Sequence, residues 1–170
     1  MRKRREARER AVQFLFQYDV NPAEDLPLAL IQFWDTTRMN AFLEGKSSTW
    51  GQRVELPPPT AEESATQLFG NELITGVIER RQELDGIIQK HAKNWDLHRM
   101  AVVDRNVMRV AIYEMCFRDD IPPVVSINEA VDIAKKFSTQ DSGKFVNGIL
   151  DKVKEDLQRP SRTARESSET

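Results

Sequence analysis

The opening segment MRKRREARER carries the residue types that most clearly suggest chemistry. Six of its ten side chains are basic and two are acidic, a local charge of +4 in a chain whose formal net charge is −2. Five of the six are arginines, which bind phosphate through paired hydrogen bonds and stack on bases. Because positive charge at a helix N-terminus opposes the helix dipole, this placement favours an RNA or DNA phosphate partner. A solvated charged end is the alternative.

A second candidate site lies in the segment FSTQDSGKFVNGILD, residues 137–151. Its polar turn is followed by Lys144 and Phe145, and either Asp141 or Ser142 is suited to cap the helix that begins there. A helix N-terminus with free amides, a lysine and an aromatic ring is also suited to bind a phosphate and a base. Residue types alone leave both interpretations open.

Residues suited to catalysis or metal binding are few. The sequence contains no phosphate loop, glycine-rich dinucleotide turn, HExxH motif or nucleophile elbow. Its one cysteine, Cys116, lies in an apolar run and is predicted to be a core residue. His91, near a predicted helix end, is expected to be structural, although its ring is able to stack on an RNA base. We therefore expect no enzymatic activity, no cofactor and no metal site.

Apolar residues recur mainly with helical spacing, which predicts a single all-α domain of about six or seven helices. The first helix ends at Asn21-Pro22, and the second spans about 26–43. Thr60 with Glu63 forms a capping-box pattern that opens a third helix, which either continues or bends near Gly76.

The second half of the chain is predicted to hold the centre of the core. The segment 102–117 is apolar around most of its circumference, as in a central buried helix. Ser126 with Glu129 forms a second capping-box pattern, and a last helix follows the polar turn.

The domain is expected to span residues 1–158. Residues 35–60 are interpreted as a loop or insertion, in which GKSSTWGQR is either mobile or an extension of a binding path, and residues 159–170 as a disordered tail. No apolar run is long enough to cross a membrane, and the N-terminus lacks a signal-peptide pattern. With one cysteine and no internal disulfide, the expected compartment is the cytoplasm.

Three stretches taken in order carry a family resemblance: REARERAVQFLFQYD, VDRNVMRVAIYEM and IPPVVSINEAVDIAKKFSTQDSGKFVNGILDKV. In these the chain resembles the NusB family of transcription antitermination factors. The resemblance implies an all-helical fold of two packed helical bundles and no catalytic activity. It also implies binding of a single-stranded RNA element, boxA, of ribosomal RNA leader transcripts together with NusE, a ribosomal small-subunit protein. By the same resemblance, the factor and NusE together help RNA polymerase to read through terminators.

The resemblance assigns roles to individual positions. Those expected to contact RNA are Arg4, Arg5 and Arg8 at phosphates, His91 by stacking, and Asp141, Ser142, Lys144 and Phe145 along the RNA path. Phe16 and Asp104 resemble positions that face NusE. Glu6 departs from the family, which often has a basic residue there, and this difference is expected to weaken RNA binding.

Other interpretations remain open at this point. A helical scaffold would bind NusE without RNA. A NusB-like domain also forms the N-terminal part of some RNA cytosine methyltransferases, although no glycine-rich cofactor loop is present here. A homodimer that covers the partner surface would modify the main interpretation rather than replace it.

Overall fold

The computed structural model describes residues 2–44 and 55–168, and these ranges contain seven α-helices, one 3₁₀ turn and no strand. The helices are α1 (Arg2–Val20), α2 (Leu26–Glu44), α3 (Ala61–Glu79), α4 (Arg81–His91), α5 (Val102–Phe117), α6 (Pro123–Phe137) and α7 (Gln140–Ser168), with the 3₁₀ turn at Leu97–Arg99. The all-α prediction is confirmed. No helix within the described ranges has both the length and the apolar content needed to cross a bilayer.

The central helix is α5, which contacts α1, α3, α4, α6 and α7. Four of its apolar side chains are at most 1% exposed: Val107, Met108, Ala111 and Ile112. A helix that is apolar on nearly all sides must be surrounded by other helices. The predicted central position of 102–117 is therefore confirmed, and around it α1 packs on α3 and α6 packs on α7.

The break between α3 and α4 lies at Arg80 and not near Gly76, where the sequence suggests a bend. Gly76 lies inside α3, where a Cβ atom would overlap the ring of Tyr113. The glycine is therefore explained by the close approach of Tyr113 of α5 to α3.

The helix predicted over about 26–43 is confirmed by α2, so residues 35–44 of the segment interpreted as a loop or insertion are helical. Arg38, in this part of α2, donates to Glu63 at 3.0 Å and to the Pro57 carbonyl at 2.5 Å. These bonds join α2 to the segment that leads into α3. The GKSSTWGQR segment lies outside the described residues.

Two predicted capping boxes have different outcomes. Thr60 caps α3 as expected, since its hydroxyl accepts from the Glu63 amide at 3.1 Å. The prediction for Ser126 is wrong, because α6 begins at Pro123, and proline is favoured in the first turn of a helix. Ser126 is buried inside α6 instead.

The last helix extends further than its apolar pattern indicates. Its described backbone is helical to Ser168 and so runs through most of the 159–170 segment for which the sequence predicts disorder. This segment continues a helix that is already packed, so no new nucleation is needed. The domain boundary at residue 158 stays a prediction.

A buried carboxylate joins α1 to α4 and α5. The side chain of Asp19 is almost fully buried and accepts hydrogen bonds from Arg81 at 2.7 Å, Arg105 at 2.8 Å, Arg109 at 2.9 Å and Asn106 at 3.2 Å. Burial raises the pKa of Asp19, but the hydrogen bonds and charges of Arg105 and Arg109 outweigh burial and lower the pKa to about 2.

We expect Asp19→Asn to lower the free energy of unfolding at neutral pH by about 2–4 kcal/mol, because it removes the charge that compensates the buried guanidinium groups. The folded-state pKa lies below the ordinary value of 3.8, so the carboxylate stabilises the fold above that value and loses its effect as pH falls towards about 2. Urea unfolding of wild type and variant at several pH values measures this. Asp35→Asn, at an exposed position on α2, is the control. A stability difference that stays constant down to about pH 2 would contradict the assignment to Asp19.

Candidate nucleic-acid interface

The arginines at the exposed start of α1 are paired with carboxylates of the same chain. Arg4 Nη2 lies 3.6 Å from Asp120. Arg5 donates to Glu129 at 2.8 and 2.9 Å and to Asp132 at 2.9 Å, and the hydrogen bonds and charge of Glu129 raise the pKa of Arg5. Both arginines are about half exposed. Their cations are at the surface but are neutralised there.

Arg8 is buried, and the structure contradicts the phosphate contact predicted for it. Its side chain is 4% exposed and donates from Nε at 3.0 Å and from Nη2 at 2.7 Å to the Glu114 carboxylate. Glu114 is itself 1% exposed, and Ser126 donates to it at 3.4 Å. Arg8 lies one turn before Val12 on the apolar face of α1, so the fold directs its guanidinium into α5. The role of Arg8 is therefore to join α1 to α5.

The start of α7 is capped by Thr139 and not by Asp141 or Ser142. The Thr139 hydroxyl accepts from the Ser142 amide at 3.1 Å. The Ser142 hydroxyl is buried, lies 2.9 Å from that of Ser138 and donates to Asp104 at 3.1 Å. Ser142 therefore faces inward and does not line an exposed RNA path, whereas Asp141 is exposed in the first turn.

Asp104 lies inside the fold, which contradicts its predicted place on a partner-facing surface. It is 6% exposed and links the first turn of α5 to Ser142 at the start of α7. Burial raises the pKa of Asp104, and the hydrogen bond from Ser142 opposes that rise. Its Oδ1 atom has no hydrogen-bond partner among the described residues. Phe16 is 39% exposed on α1 and stays a candidate for the partner surface.

Two lysines lie beside the start of α7: Lys135 at the end of α6 and Lys144 on α7 itself. Unlike the arginines of α1, neither has an ion pair within the described ranges. The stem of Lys135, from the last turn of α6, lies across Gly143, where a Cβ atom would stand 2.7 Å from Lys135 Cγ. Lys144 is exposed in the first turns of α7. These cations add to the positive end of the helix dipole, which is the arrangement that attracts a phosphate group.

The ring of His91 is not free to stack on a base. Its Nδ1 lies 2.8 Å from the Ile87 carbonyl, which only accepts hydrogen bonds, and its Nε2 lies 2.5 Å from Asp156 Oδ2. The side chain is largely buried, and its hydrogen bond lowers the pKa of Asp156. His91 therefore joins α4 to α7, and the predicted stacking role is contradicted.

The structure brings to Phe145 an aromatic residue that the sequence does not single out. Trp95 is 53% exposed, and its ring centroid lies 5.6 Å from that of Phe145. No helical periodicity marks Trp95, because it lies in the irregular segment between α4 and the 3₁₀ turn. The sequence offers one indication of its role: Trp95 lies four residues after His91, a candidate RNA-stacking residue, in the segment QKHAKNW.

Within the described part of the chain, no group of three or more histidine, cysteine, aspartate and glutamate side chains is arranged to hold a metal ion. Burial raises the pKa of the Cys116 thiol, as expected for a packed thiol rather than an activated nucleophile. The candidate interface thus consists of exposed cations and aromatic rings at the starts of α1 and α7.

Residues 5–155 of the chain match the model of the NusB family. The chain is 40% identical over 151 residues to the transcription antitermination protein NusB of Thermodesulfovibrio yellowstonii, a match that covers 89% of this chain and 91% of the relative. It is 39% identical over 156 residues to the protein of the same name from Bacillus licheniformis, covering 92% and 99% of the two chains. This family is not enzymatic, so the prediction that the chain is not an enzyme is confirmed.

Solved structures support the same fold. The T. maritima NusB structure has a TM-score of 0.66 and 35% identity, covering 88% of this chain and 89% of that one. A chain in the crystal structure of the antitermination factors NusB and NusE in complex with dsRNA has a TM-score of 0.66 and covers 90% and 96% of the two chains. Its identity is 23%, so this second likeness concerns the fold alone.

We expect Arg8→Met alone to destabilise the protein by about 3–5 kcal/mol, because Glu114 is left as an uncompensated buried charge. The double variant Arg8→Met with Glu114→Leu should recover most of this loss, since both charges are then replaced by apolar groups. Urea unfolding measures both variants. If Arg8 is structural, the folded double variant binds RNA with the salt dependence of wild type. A shallower dependence would restore Arg8 as a phosphate contact.

Proposed function

This chain belongs to the NusB family, and on that premise we propose that it is a transcription antitermination factor that binds boxA-type single-stranded RNA of ribosomal RNA leader transcripts together with NusE. Its relatives are named for transcription antitermination, and one similarly folded chain was crystallised with NusE and double-stranded RNA. The observation that carries the proposal is the group of exposed lysines, which have no ion pair among the described residues, and of aromatic rings at the start of α7.

The start of α7 offers the two kinds of contact that single-stranded RNA requires. Lys135, Lys144 and the positive end of the α7 helix dipole supply positive charge for a phosphate. Phe145, one residue further, is partly exposed and supplies an aromatic surface for a base. Because these lysines have no ion pair among the described residues, RNA does not have to displace a carboxylate here.

The start of α1 is the second part of the proposed RNA surface, and α6 connects the two parts. Arg5 contacts Glu129 and Asp132 on α6, and Lys136 on the next turn contacts Glu9 of α1. Lys135, beside Lys136, reaches the start of α7. Exposed ion pairs contribute only about 0.2–1 kcal/mol each, so a phosphate could replace Asp120 beside Arg4 and Asp132 beside Arg5, both of which are exposed.

The exposed apolar side chains of α1 form the proposed NusE surface. Phe16 and Val20 lie one turn apart and are 39% and 64% exposed. In this proposal NusE links the RNA-bound factor to the RNA polymerase antitermination complex. A homodimer that covered Phe16 would compete with NusE. The function would place the protein in the cytoplasm, where nascent transcripts are made.

We expect Lys144→Ala to weaken binding of a fluorescent single-stranded boxA-like RNA and to reduce the slope of log affinity against log salt by about 0.7, the value for one phosphate contact on a single strand. Lys152→Ala is the matched control, because Lys152 is also exposed and unpaired among the described residues of α7 but lies two turns further along the helix. Fluorescence anisotropy across a salt series measures both variants.

The same titrations with NusE test the function as a whole. NusE should tighten RNA binding, and RNA should tighten NusE binding by the same factor, because coupling between two ligands is reciprocal. Binding of NusE without any response to RNA would support the scaffold interpretation instead. Binding of neither partner would leave the family fold without the proposed function.

We expect Asp132→Asn to strengthen RNA binding by about two- to fivefold, because Arg5 then has one fewer carboxylate competing with a phosphate. Asp151→Asn, which makes the same change in charge at an exposed position on α7, is the control for the net-charge effect. Equal affinities of the two variants would show that Arg5 does not reach the RNA.

A further inference from the structure

Trp95 and Phe145 form an exposed aromatic pair beside the start of α7. Their ring centroids are 5.6 Å apart and their planes meet at 69°, an edge-to-face arrangement. In such a pair the edge of one ring contacts the face of the other, so Phe145 covers at most one face of the indole, and Trp95 remains 53% exposed. More than half of the tryptophan surface is therefore open to a partner, next to a second aromatic ring.

Trp95 is held in place by Gln89 of α4. The Gln89 side chain donates to the Trp95 carbonyl at 2.6 Å and to the Ala92 carbonyl at 3.3 Å, and it accepts from the Leu97 amide at 3.0 Å. One side chain thus fixes the segment 92–97 on both sides of the tryptophan. Leu97 is buried and anchors the end of the segment. The backbone that carries the exposed ring is consequently held in place in the free protein, which reduces the entropy lost on binding.

The charges beside the ring pair suit a polyanion. Lys93 lies two residues before Trp95 and Lys144 lies next to Phe145, and both are exposed without an ion pair in the described ranges. The nearby carboxylate of Asp96 accepts from the His98 amide at 3.0 Å and so caps the 3₁₀ turn. Two exposed lysines thus lie within two residues of the ring pair along the chain, and they are candidates to contact the phosphates of a nucleotide that stacked on the indole.

We propose that the indole of Trp95 stacks on an unpaired base of the RNA and that Phe145 holds the indole in position. The inference rests on the proposed function and names one contact in it. It also gives the site a means of selecting its substrate. Bases of a duplex are already stacked and do not present a free face, whereas bases of a single strand do. Trp95 should therefore favour single-stranded over double-stranded RNA.

The test compares Trp95→Ala, Trp95→Phe and wild type for binding of single-stranded boxA-like RNA and of a duplex of the same sequence. We expect Trp95→Ala to bind the single strand about tenfold more weakly, the scale of one base–aromatic stack. Its salt slope should not change, because no phosphate contact is lost. Trp95→Phe should keep most of the affinity, and duplex binding should be the same in all three proteins.

Two further variants serve as controls. Leu157→Ala removes another exposed large apolar side chain, on α7, and should leave RNA affinity unchanged. Gln89→Ala loosens the segment 92–97 without removing a ring, and we expect it to weaken single-strand binding less than Trp95→Ala does. Thermal unfolding followed by circular dichroism establishes that each variant is folded.

The outcomes separate this inference from the proposed function. If wild type binds no RNA, the proposed function fails and the inference fails with it. If wild type binds RNA and a folded Trp95→Ala binds it equally well, the inference is overturned while the function stands. Equal losses for single strand and duplex, or a loss of NusE binding in the absence of RNA, would also overturn stacking on an unpaired base.

Discussion

The buried ion pair between Arg8 and Glu114 determines how α1 lies on α5, and the candidate RNA surface depends on that orientation. Removing two charges from water is costly, and a buried pair is tolerated only where its hydrogen bonds are well made. Arg8 meets this condition with two nitrogens on Glu114, and Ser126 adds a bond from α6. A rotation of α1 would break these bonds. The same pair therefore fixes Arg4 and Arg5 at the surface, where they reach the carboxylates of neighbouring segments.

A high local charge in the sequence is not the same as an open cationic surface in the fold. The opening ten residues have a formal charge of +4, yet Arg4, Arg5 and Arg8 each contact a carboxylate. The unpaired cations of the interface lie instead at the start of α7, a region with no comparable excess of basic residues. In the proposed function, RNA binding at α1 thus requires phosphates to replace carboxylates that already pair with the arginines. Binding at α7 instead uses lysines that have no ion pair among the described residues. The two ends should consequently respond differently to salt and to changes in nearby acidic residues.

Helices could be predicted from the sequence because apolar periodicity records which face is buried, and 102–117 shows this most clearly. The direction in which polar side chains point could not be predicted from the sequence, because it depends on partners that lie far away along the chain. The partner of Arg8 is 106 positions distant and that of His91 is 65. Ser142 and Asp104, assigned to two different surfaces by resemblance, bind each other in the interior. The contact between Trp95 and Phe145 could not be predicted for the same reason, since only the tertiary fold brings the two rings together.

The contact between Asp104 and Ser142 bears on how two partners could influence each other. The first turn of α5 binds the start of α7 through Asp104, and it binds the end of α1 through Arg105 and Asn106, which donate to Asp19. Phe16, on the proposed NusE surface, lies one turn before Asp19 in α1. The first turn of α5 is therefore in contact with the elements that carry both proposed surfaces. Coupling between NusE and RNA requires an element that both ligands affect. The buried carboxylate of Asp104, one oxygen of which has no hydrogen-bond partner among the described residues, lies at this junction between the two proposed surfaces.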